Sequence, residues 1–487
     1  MKQNKTPIYQ ALIEYDRKSP VSLHVPGHKN GVVFPKEKHP YFDEILRLDA
    51  TEITGLDDLH EPENIILEAE QLLADLYKVK DSFLLINGST VGNLAMILAT
   101  IKEDETVLVQ RNCHKSILNG IHLAKANPVF LGPNLESDWG VAGGISLETV
   151  QKALELHPNS KAIILTYPNY YGMVYELEEI IKHAHSYQIP VLVDEAHGAH
   201  FIVGTPFPKS AVQLGADVVV QSAHKTLPAM TMGSFLHVNS EIICTDAIKE
   251  YLSILQSSSP SYTIMASLDI SRSYLGTYTN KDLNYLMYEV TSFREQLKSI
   301  SEIKVMNFKN GQGDPLKITI QSTMGLSGYE LQQVLEEYGI YTELADPYNV
   351  LFVLPLLKEG ISFPFKEIVY KVKQAVKKTN STKQKSSLQF YFNKSLISTL
   401  SLSLREREKC NVEIKLLKES LGFVCAESII PYPPGIPILL PGERISNDEI
   451  ESLSTYMELG AKIQGGKYLN QGKIKVYTDT FVSPLEV

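Results

Sequence analysis

Between residues 65 and 320, short apolar runs alternate with stretches of helical spacing, and that alternation leaves few architectures open. The runs SFLLI (82–86), TVLVQ (106–110), KAIILTY (161–167), IPVLVDEA (189–196), ADVVVQSA (216–223) and GSFLHV (233–238) are largely β-branched and show no regular polar alternation. A strand that is apolar on both sides is covered on both faces. Between the runs, segments such as IILEAEQLLADLY (65–77) and VGNLAMILATI (91–101) place apolar residues three and four apart, as one helix face does. Such βαβ units predict a mostly parallel sheet with helices on both sides.

The flanking text differs. Residues 1–64 form an N-terminal arm, where VSLHVPGHKNG (21–31) is a loop because Pro26, Gly27, Asn30 and Gly31 interrupt any helix. After a connecting helix over 283–302, a smaller α/β unit follows within 301–380: LKITIQS (316–322), LSGYELQQVLEEYG (326–339) and VLFVLPL (350–356). The basic stretch 371–387 reads as a solvated helix end and linker into a third unit, 381–487. There PYPPGIPILLPGE (431–443) is too rich in proline for a helix.

Charge and composition exclude several functions. Lys and Arg total 46 against 56 Asp and Glu, a net charge of −10, so the chain is not built to wrap a nucleic acid. No run of about 18 apolar residues offers a membrane span. The start MKQNKTPIYQ has no apolar signal core, which predicts a cytoplasmic protein. Cys113, Cys244, Cys410 and Cys425 are scattered with no CxxC pair and are expected to be buried free thiols.

Chemistry enters at QSAHKTLPAM (221–230), where Lys225 follows directly on a buried-strand pattern. A lone lysine there is ordinary. Thirty-one residues upstream, however, Asp194 ends another strand pattern, and further upstream a strand, the turn NGST (87–90) and a helix follow one another. Backbone N–H groups at that helix start, with the Ser89 and Thr90 hydroxyls, suit a phosphate. Strand ends in open parallel sheets face the ligand crevice. A lysine, an acid and an anion cup together are what pyridoxal phosphate needs: an amine for its aldehyde, a carboxylate to keep its pyridine nitrogen protonated, and a phosphate site.

The motifs HVPGHKNG (24–31), NGSTVGN (87–93), RNCHKS (111–116), DEAHGAH (194–200), SAHKT (222–226) and PYPPGIPILLPGE (431–443) occur in one order along nearly the whole chain. In this the sequence resembles the bacterial ornithine/lysine/arginine decarboxylase family, in its compact form. The resemblance implies a fold type I, aspartate-aminotransferase-like large domain (65–300) with smaller α/β and C-terminal domains. It implies that Lys225 holds pyridoxal phosphate covalently, that Asp194 pairs with the pyridine nitrogen, and that His114 stacks on the ring. Ser89, Thr90, Ser222 and His224 would hold the phosphate, with His197 near the ring or its hydroxyl. The reaction would release CO₂ from a basic amino acid, arginine or lysine before ornithine, giving a di- or polyamine precursor. A proton would return to Cα from Lys225 or His224. Glu443 is the first candidate for the acid that meets the basic substrate tail, and Glu427 the second. The loop SSSPSY (257–262) resembles the family segment that reaches a neighbouring subunit's cofactor, implying a homodimer or a multiple of one.

Two features leave alternatives open. TLPAMTMGS (226–234), after the lysine, lacks an obvious polar substrate contact, which leaves substrate choice open. Another lyase or an aminotransferase could use the same scaffold, as could a pyridoxal-phosphate-binding regulator without turnover. His197 and His200 make an HxxH with no evident third ligand, so no metal is expected.

Overall fold

The computed structural model describes residues 1–35, 37–38, 41–378, 395–431 and 435–478. Its main sheet is built from β1 (Asp81–Leu85), β2 (Thr106–Gln110) and β3 (Asn127–Leu131), a small hairpin β4 (Leu135–Glu136) and β5 (Val141–Ala142) apart from it, then β6 (Ile163–Thr166), β7 (Val191–Asp194), β8 (Val218–Gln221) and β9 (Ser234–Val238). The strand order is β1-β9-β8-β7-β6-β2-β3, closed by a short strand at Ile397–Thr399. From β8 to β3 all neighbours are parallel, and β9 alone runs against both β8 and β1. Ile397–Thr399 pairs antiparallel with β3.

The expected burial on both faces is present. Every residue of β6, β7, β8 and β9 is buried. Alternate residues enter different cores: Val191 and Val193 pack on one side of the sheet, Leu192 on the other. Period-two alternation therefore sorts apolar residues between two apolar layers. The helix Gly88–Thr100 lies close against the sheet because Gly92 has no side chain; a Cβ there would stand 2.7 Å from Leu85 Cδ1 and 2.8 Å from Val220 Cγ1.

The connections depart from a regular βαβ pattern around the chemistry. Between β7 and β8 the only regular element is a 3-10 turn, Phe201–Val203, and between β8 and β9 a four-residue helix, Ala223–Thr226. The strand β3 is not evident in the sequence, because Asn127 and Pro128 break its apolar run.

The second unit is a sheet of Ile303–Val305, Lys317–Ser322, Asn349–Val353 and Leu344–Ala345, antiparallel throughout. Helices Gly328–Glu337 and Phe365–Lys378 bury Leu331, Leu335 and Val372 in the same core as the main sheet's outer face. The expected linker is helical as far as Lys378; its residues 379–387 lie outside the described residues. A third core, formed by Leu417, Cys425, Ile429, Leu439, Leu453 and Val476, holds the C-terminal region together. The 431–443 segment carries no helix among its described residues, and 432–434 lie outside them. All four thiols are free, but only Cys113 and Cys425 are buried; Cys244 is exposed, contrary to the expectation.

The N-terminal helix Pro7–Arg17 is tied to Tyr262–Gly276: the Ile8 N–H donates to Asp269 Oδ2 at 3.0 Å. The expected contact loop 257–262 is shortened by one residue. Tyr262 begins that helix, is fully buried, and donates its hydroxyl to the Asp57 carbonyl, so it is engaged within its own chain.

Candidate active site

The ends of β1, β8 and β7 bring the predicted residues together, with β9 between the first two. Gly88, at φ +78°, turns the chain out of β1 into its helix, and its N–H donates to the Met232 carbonyl at 2.9 Å. This ties the helix start to the loop after Lys225. Ser89 lies there, and its Oγ accepts from Ser222 Oγ at 2.8 Å. Ser222 precedes the short helix Ala223–Thr226, which presents His224 and Lys225 immediately after β8. Thr90 is exposed at the same helix start. The hydroxyls of Ser89 and Ser222 and the N–H groups that follow Gly88 in the first turn of the Gly88–Thr100 helix thus lie at one end of the sheet, where an anion is favoured by the helix dipole.

Asp194 ends β7, beside β8 and buried. Its Oδ2 accepts from Asn93 Nδ2 at 3.0 Å and its Oδ1 from the Ala196 N–H at 3.1 Å. Both donors are neutral, and no ion-pair partner stands beside it among the described residues. Asn93 Nδ2 also reaches Ser116 Oγ at 2.9 Å, and Ser116 Oγ lies 2.8 Å from His114 Nδ1. One amide therefore links the strand-end acid to the histidine that caps the next helix. Burial pushes the His114 imidazole below its ordinary value, against the pull of Asp194.

Lys225 Nζ lies 3.0 Å from His197 Nε2 and 5.8 Å from the centre of the Tyr170 ring. Burial lowers the Lys225 ammonium, while Asp194 and Glu343 oppose the shift. His197 is held well below its usual range by burial and then by Lys225 and Lys317, so it is neutral near pH 7. His224 Nδ1 meets the Gly233 carbonyl at 3.0 Å. His200 is not beside His197 in function; its Nε2 pairs with Asp314 at 3.0 Å. No group of three metal-ligating side chains occurs among the described residues.

A cavity of about 230 Å³ adjoins this cluster through Tyr170 and is lined also by Arg111, Asn112, Thr166, Asp346 and Glu443. Glu443, the first candidate for the acid that meets the substrate tail, lines this cavity and is paired within the chain. Arg111 Nε and Nη2 donate to its two oxygens at 2.9 and 2.8 Å, and the Leu440 N–H donates at 2.8 Å. Burial raises the Glu443 carboxyl and Arg111 opposes it. The bidentate geometry is that of an ion pair made within the chain, and with the Leu440 N–H it fills three of the carboxylate's roughly four acceptor positions. Glu427 is displaced further: its Oε1 accepts from the Lys475 N–H at 2.9 Å, and it does not line the cavity.

Sequence reasoning missed Asn93, Arg111 and Lys317. Asn93 and Lys317 each carried a signal, a polar residue inside an apolar helix pattern and a lysine inside the buried strand run LKITIQS.

A model of the Orn/Lys/Arg decarboxylase major domain matches residues 6–313, well over half of the sequence, and one of the C-terminal domain of that family matches 400–466. The chain belongs to the Orn/Lys/Arg decarboxylase family. Within the family it is 45% identical to the uncharacterized protein YaaO of Bacillus subtilis, over 97% of this chain and 99% of that one. It is 32% identical to an arginine decarboxylase of B. subtilis, over 96% of each. Among solved structures it is similar to the constitutive lysine decarboxylase of E. coli, with a TM-score of 0.78 and 20% identity over 98% of this chain and 82% of that one. A structure of SPT with PLP aligns with 70% of this chain and 82% of that one, at a TM-score of 0.52 and 19% identity. These likenesses place the main sheet in fold type I.

Proposed function

We propose that this protein is a pyridoxal-phosphate-dependent carboxy-lyase acting on a basic α-amino acid, arginine or lysine ahead of ornithine. The observation that carries the reading is Asp194: a buried carboxylate held by two neutral donors, beside an amine and an anion cup. A buried carboxylate without a cation is expensive to maintain, and a protonated pyridine nitrogen is the cation such a site fits. The arginine decarboxylase relative at 32% identity supports the substrate class.

When bound, pyridoxal phosphate supplies an acceptor for the electrons released as the Cα–carboxylate bond breaks. In this reading Lys225 is the covalent anchor and Asp194 keeps the ring nitrogen protonated. Ser89, Thr90 and Ser222 receive the phosphate with the helix N–H groups. His114 lies against the ring face, its orientation fixed by Ser116 and, through Asn93, by Asp194. His197 offers Nε2 beside Lys225. Lys225 Nζ would be the donor that returns a proton to Cα; His224, whose Nδ1 meets the Gly233 carbonyl, is the second candidate. Thr166 and Tyr170 line the approach, and a substrate filling it would displace water there, which favours loss of a charged carboxylate.

The same reading takes the protein as a cytoplasmic homodimer, or a multiple of one, whose 257–261 loops reach the partner's phosphate site. Its parts would be the arm 1–64, the cofactor domain 65–300, the small domain 301–380 and the C-terminal domain 381–487. Among the described residues no helix is long and apolar enough to cross a membrane. The test is product identification. Purified protein with pyridoxal phosphate is incubated with arginine, lysine or ornithine, and CO₂ and the amine are measured. Release of CO₂ with the matching amine from arginine or lysine is expected; a loaded protein that releases none from any of the three refutes the reading.

A further inference from the structure

The strand β1 lies at the edge of the main sheet and pairs only with β9. Along its open side, side chains take the place of a further strand. The Leu84 N–H donates to Glu70 Oε1 at 3.1 Å, and the Ile86 N–H, one residue past the strand, to Gln256 Oε1 at 2.8 Å. Beside this edge the helices Ile65–Tyr77 and Thr245–Leu255 and the loop at 59–62 enclose a groove of about 550 Å³, a size that suits a small molecule. It shares no lining residue with the cavity beside Lys225.

Glu70 lines the groove and is only 7% exposed. Its Oε2 has no hydrogen-bond or ion-pair partner among the described residues, while Oε1 holds the Leu84 N–H. A buried carboxyl with an unused oxygen on a cavity wall is suited to a cation that enters from outside. The basic groups of the wall are turned elsewhere. Lys80 Nζ donates to the Ser240 carbonyl at 3.0 Å and to Glu241, Lys249 Nζ stands 3.7 Å from Asp246, and His60 Nε2 lies 3.0 Å from the Ser257 carbonyl. Glu61, Asp81 and Glu250 also line the groove, and none of them is in an ion pair among the described residues. Leu59, Leu67, Leu84 and Leu252 give it apolar walls. Burial raises the Glu70 carboxyl to about 8, opposed by the Leu84 N–H and Lys249 and reinforced by Asp57 and Asp81. Without a cation beside it, the carboxyl therefore keeps its proton near pH 7.

We propose that this groove is a second binding site, separate from the catalytic one, for a linear aliphatic amine with two cationic ends: one ammonium pairs with Glu70, the chain lies along the leucines, and the other end meets the remaining carboxylates. A basic amino acid suits the groove less well, because its own carboxylate would lie among Glu61, Asp81 and Glu250. The ligand class follows from the groove alone. That such amines are also what the reaction releases rests on the proposed function.

The experiment is isothermal titration calorimetry of the full chain with 1,4-diaminobutane. The protein is loaded with pyridoxal phosphate and reduced with borohydride, so that the probe cannot react with the cofactor. A chain that takes up no pyridoxal phosphate overturns the function reading alone, and the same titration is then run on the protein as purified. Saturable binding is expected at pH 7, with release of about one proton per diamine, read from the dependence of the heat on the buffer's ionisation enthalpy. Glu70→Gln should bind the probe roughly tenfold or more weakly, lose that proton release, and keep the kcat/KM of the wild type. Equal affinity in wild type and Glu70→Gln overturns the proposal, as does equal binding of 1,4-butanediol, which has the chain without the charge. Lys249→Gln should bind at least as tightly as the wild type. If this variant alone binds, Lys249 itself closes on Glu70 and the proposal falls. Should Glu70→Gln fail to fold, Ala74→Trp decides: it keeps the acid and fills the groove from the same helix. Loss of binding in Ala74→Trp supports the site, and unchanged binding refutes it.

Discussion

Replacing Glu443 with glutamine is expected to loosen the C-terminal region before it affects substrate recognition. The carboxylate accepts two bonds from Arg111 and one from the Leu440 N–H, and both partners of the pair are about 15% exposed. Glutamine keeps one acceptor oxygen and turns an NH₂ toward a guanidinium that can only donate. Removing one partner of a buried ion pair costs ~3–5 kcal/mol. Arg111 keeps two carbonyl acceptors, Pro437 at 3.0 Å and Ile438 at 3.2 Å, which favours the lower end. About 3 kcal/mol corresponds to a fall of roughly 6–12 °C in melting temperature for a unit of domain size. Differential scanning calorimetry and limited proteolysis of the C-terminal region measure this. The double variant Arg111→Met/Glu443→Leu removes both charges and should melt above either single variant, since no uncompensated charge remains. If Glu443→Gln melts within ~1 °C of the wild type while kcat/KM for the best amino acid falls more than tenfold, the carboxylate binds substrate and the intramolecular pair is not its role.

Lys225→Ala should keep the circular dichroism of the wild type and give no borohydride-trapped pyridoxal phosphate; full trapping would identify another lysine as the anchor. Asp194→Asn removes the charge that would face the ring nitrogen and should lower kcat by ~100-fold or more, about 3 kcal/mol, with partial retention of cofactor; turnover near the wild type would refute the role. A pH effect is expected at Glu70, whose carboxyl burial raises from 4.5 to about 8, with Leu84 N–H donating to it at 3.1 Å. An acid raised in the folded state stabilises fully below its unfolded value, and that contribution is lost as pH rises through the folded one. Glu70→Gln keeps the acceptor and cannot ionise. Its melting temperature should match the wild type near pH 5 and exceed it near pH 8.5; parallel curves would refute the burial argument.

The sheet was legible because β6 to β9 are apolar on both faces, a pattern no amphipathic helix produces. β3 was not, since Pro128 belongs to a strand next to the sheet edge and reads as a breaker. Lys225, Asp194 and Ser89 were legible for one reason: each ends a strand or opens the helix after one, and parallel topology gathers such positions. Asn93 was not, because its use depends on β7 lying beside its helix. Glu443 was read correctly as a carboxylate fixed by a proline-rich loop, but its partner Arg111 is 332 residues away in sequence. An ion pair of that separation leaves no local pattern.

The two buried aspartates at the site show how charge divides the work. Asp314 finds its partners within the chain: its Oδ1 meets His200 Nε2 at 3.0 Å and accepts from the Leu316 N–H at 3.0 Å. Asp194 finds neutral donors, and the nearest lysine is engaged with His197. If Lys225 carried the charge that balances Asp194, it would lose the lone pair that makes it a nucleophile. The fold instead sets Lys225 Nζ 3.0 Å from His197 Nε2, with Lys317 Nζ 3.1 Å from Nδ1 of the same ring. The negative charge of Asp194 is then left for a cation that arrives with a ligand, and the neighbouring hydroxyls and helix N–H groups ask that this ligand carry an anion as well. A protonated pyridine bearing a phosphate meets both conditions, whereas a free basic amino acid that put its carboxylate in the cup would leave Asp194 facing only a flexible side-chain cation.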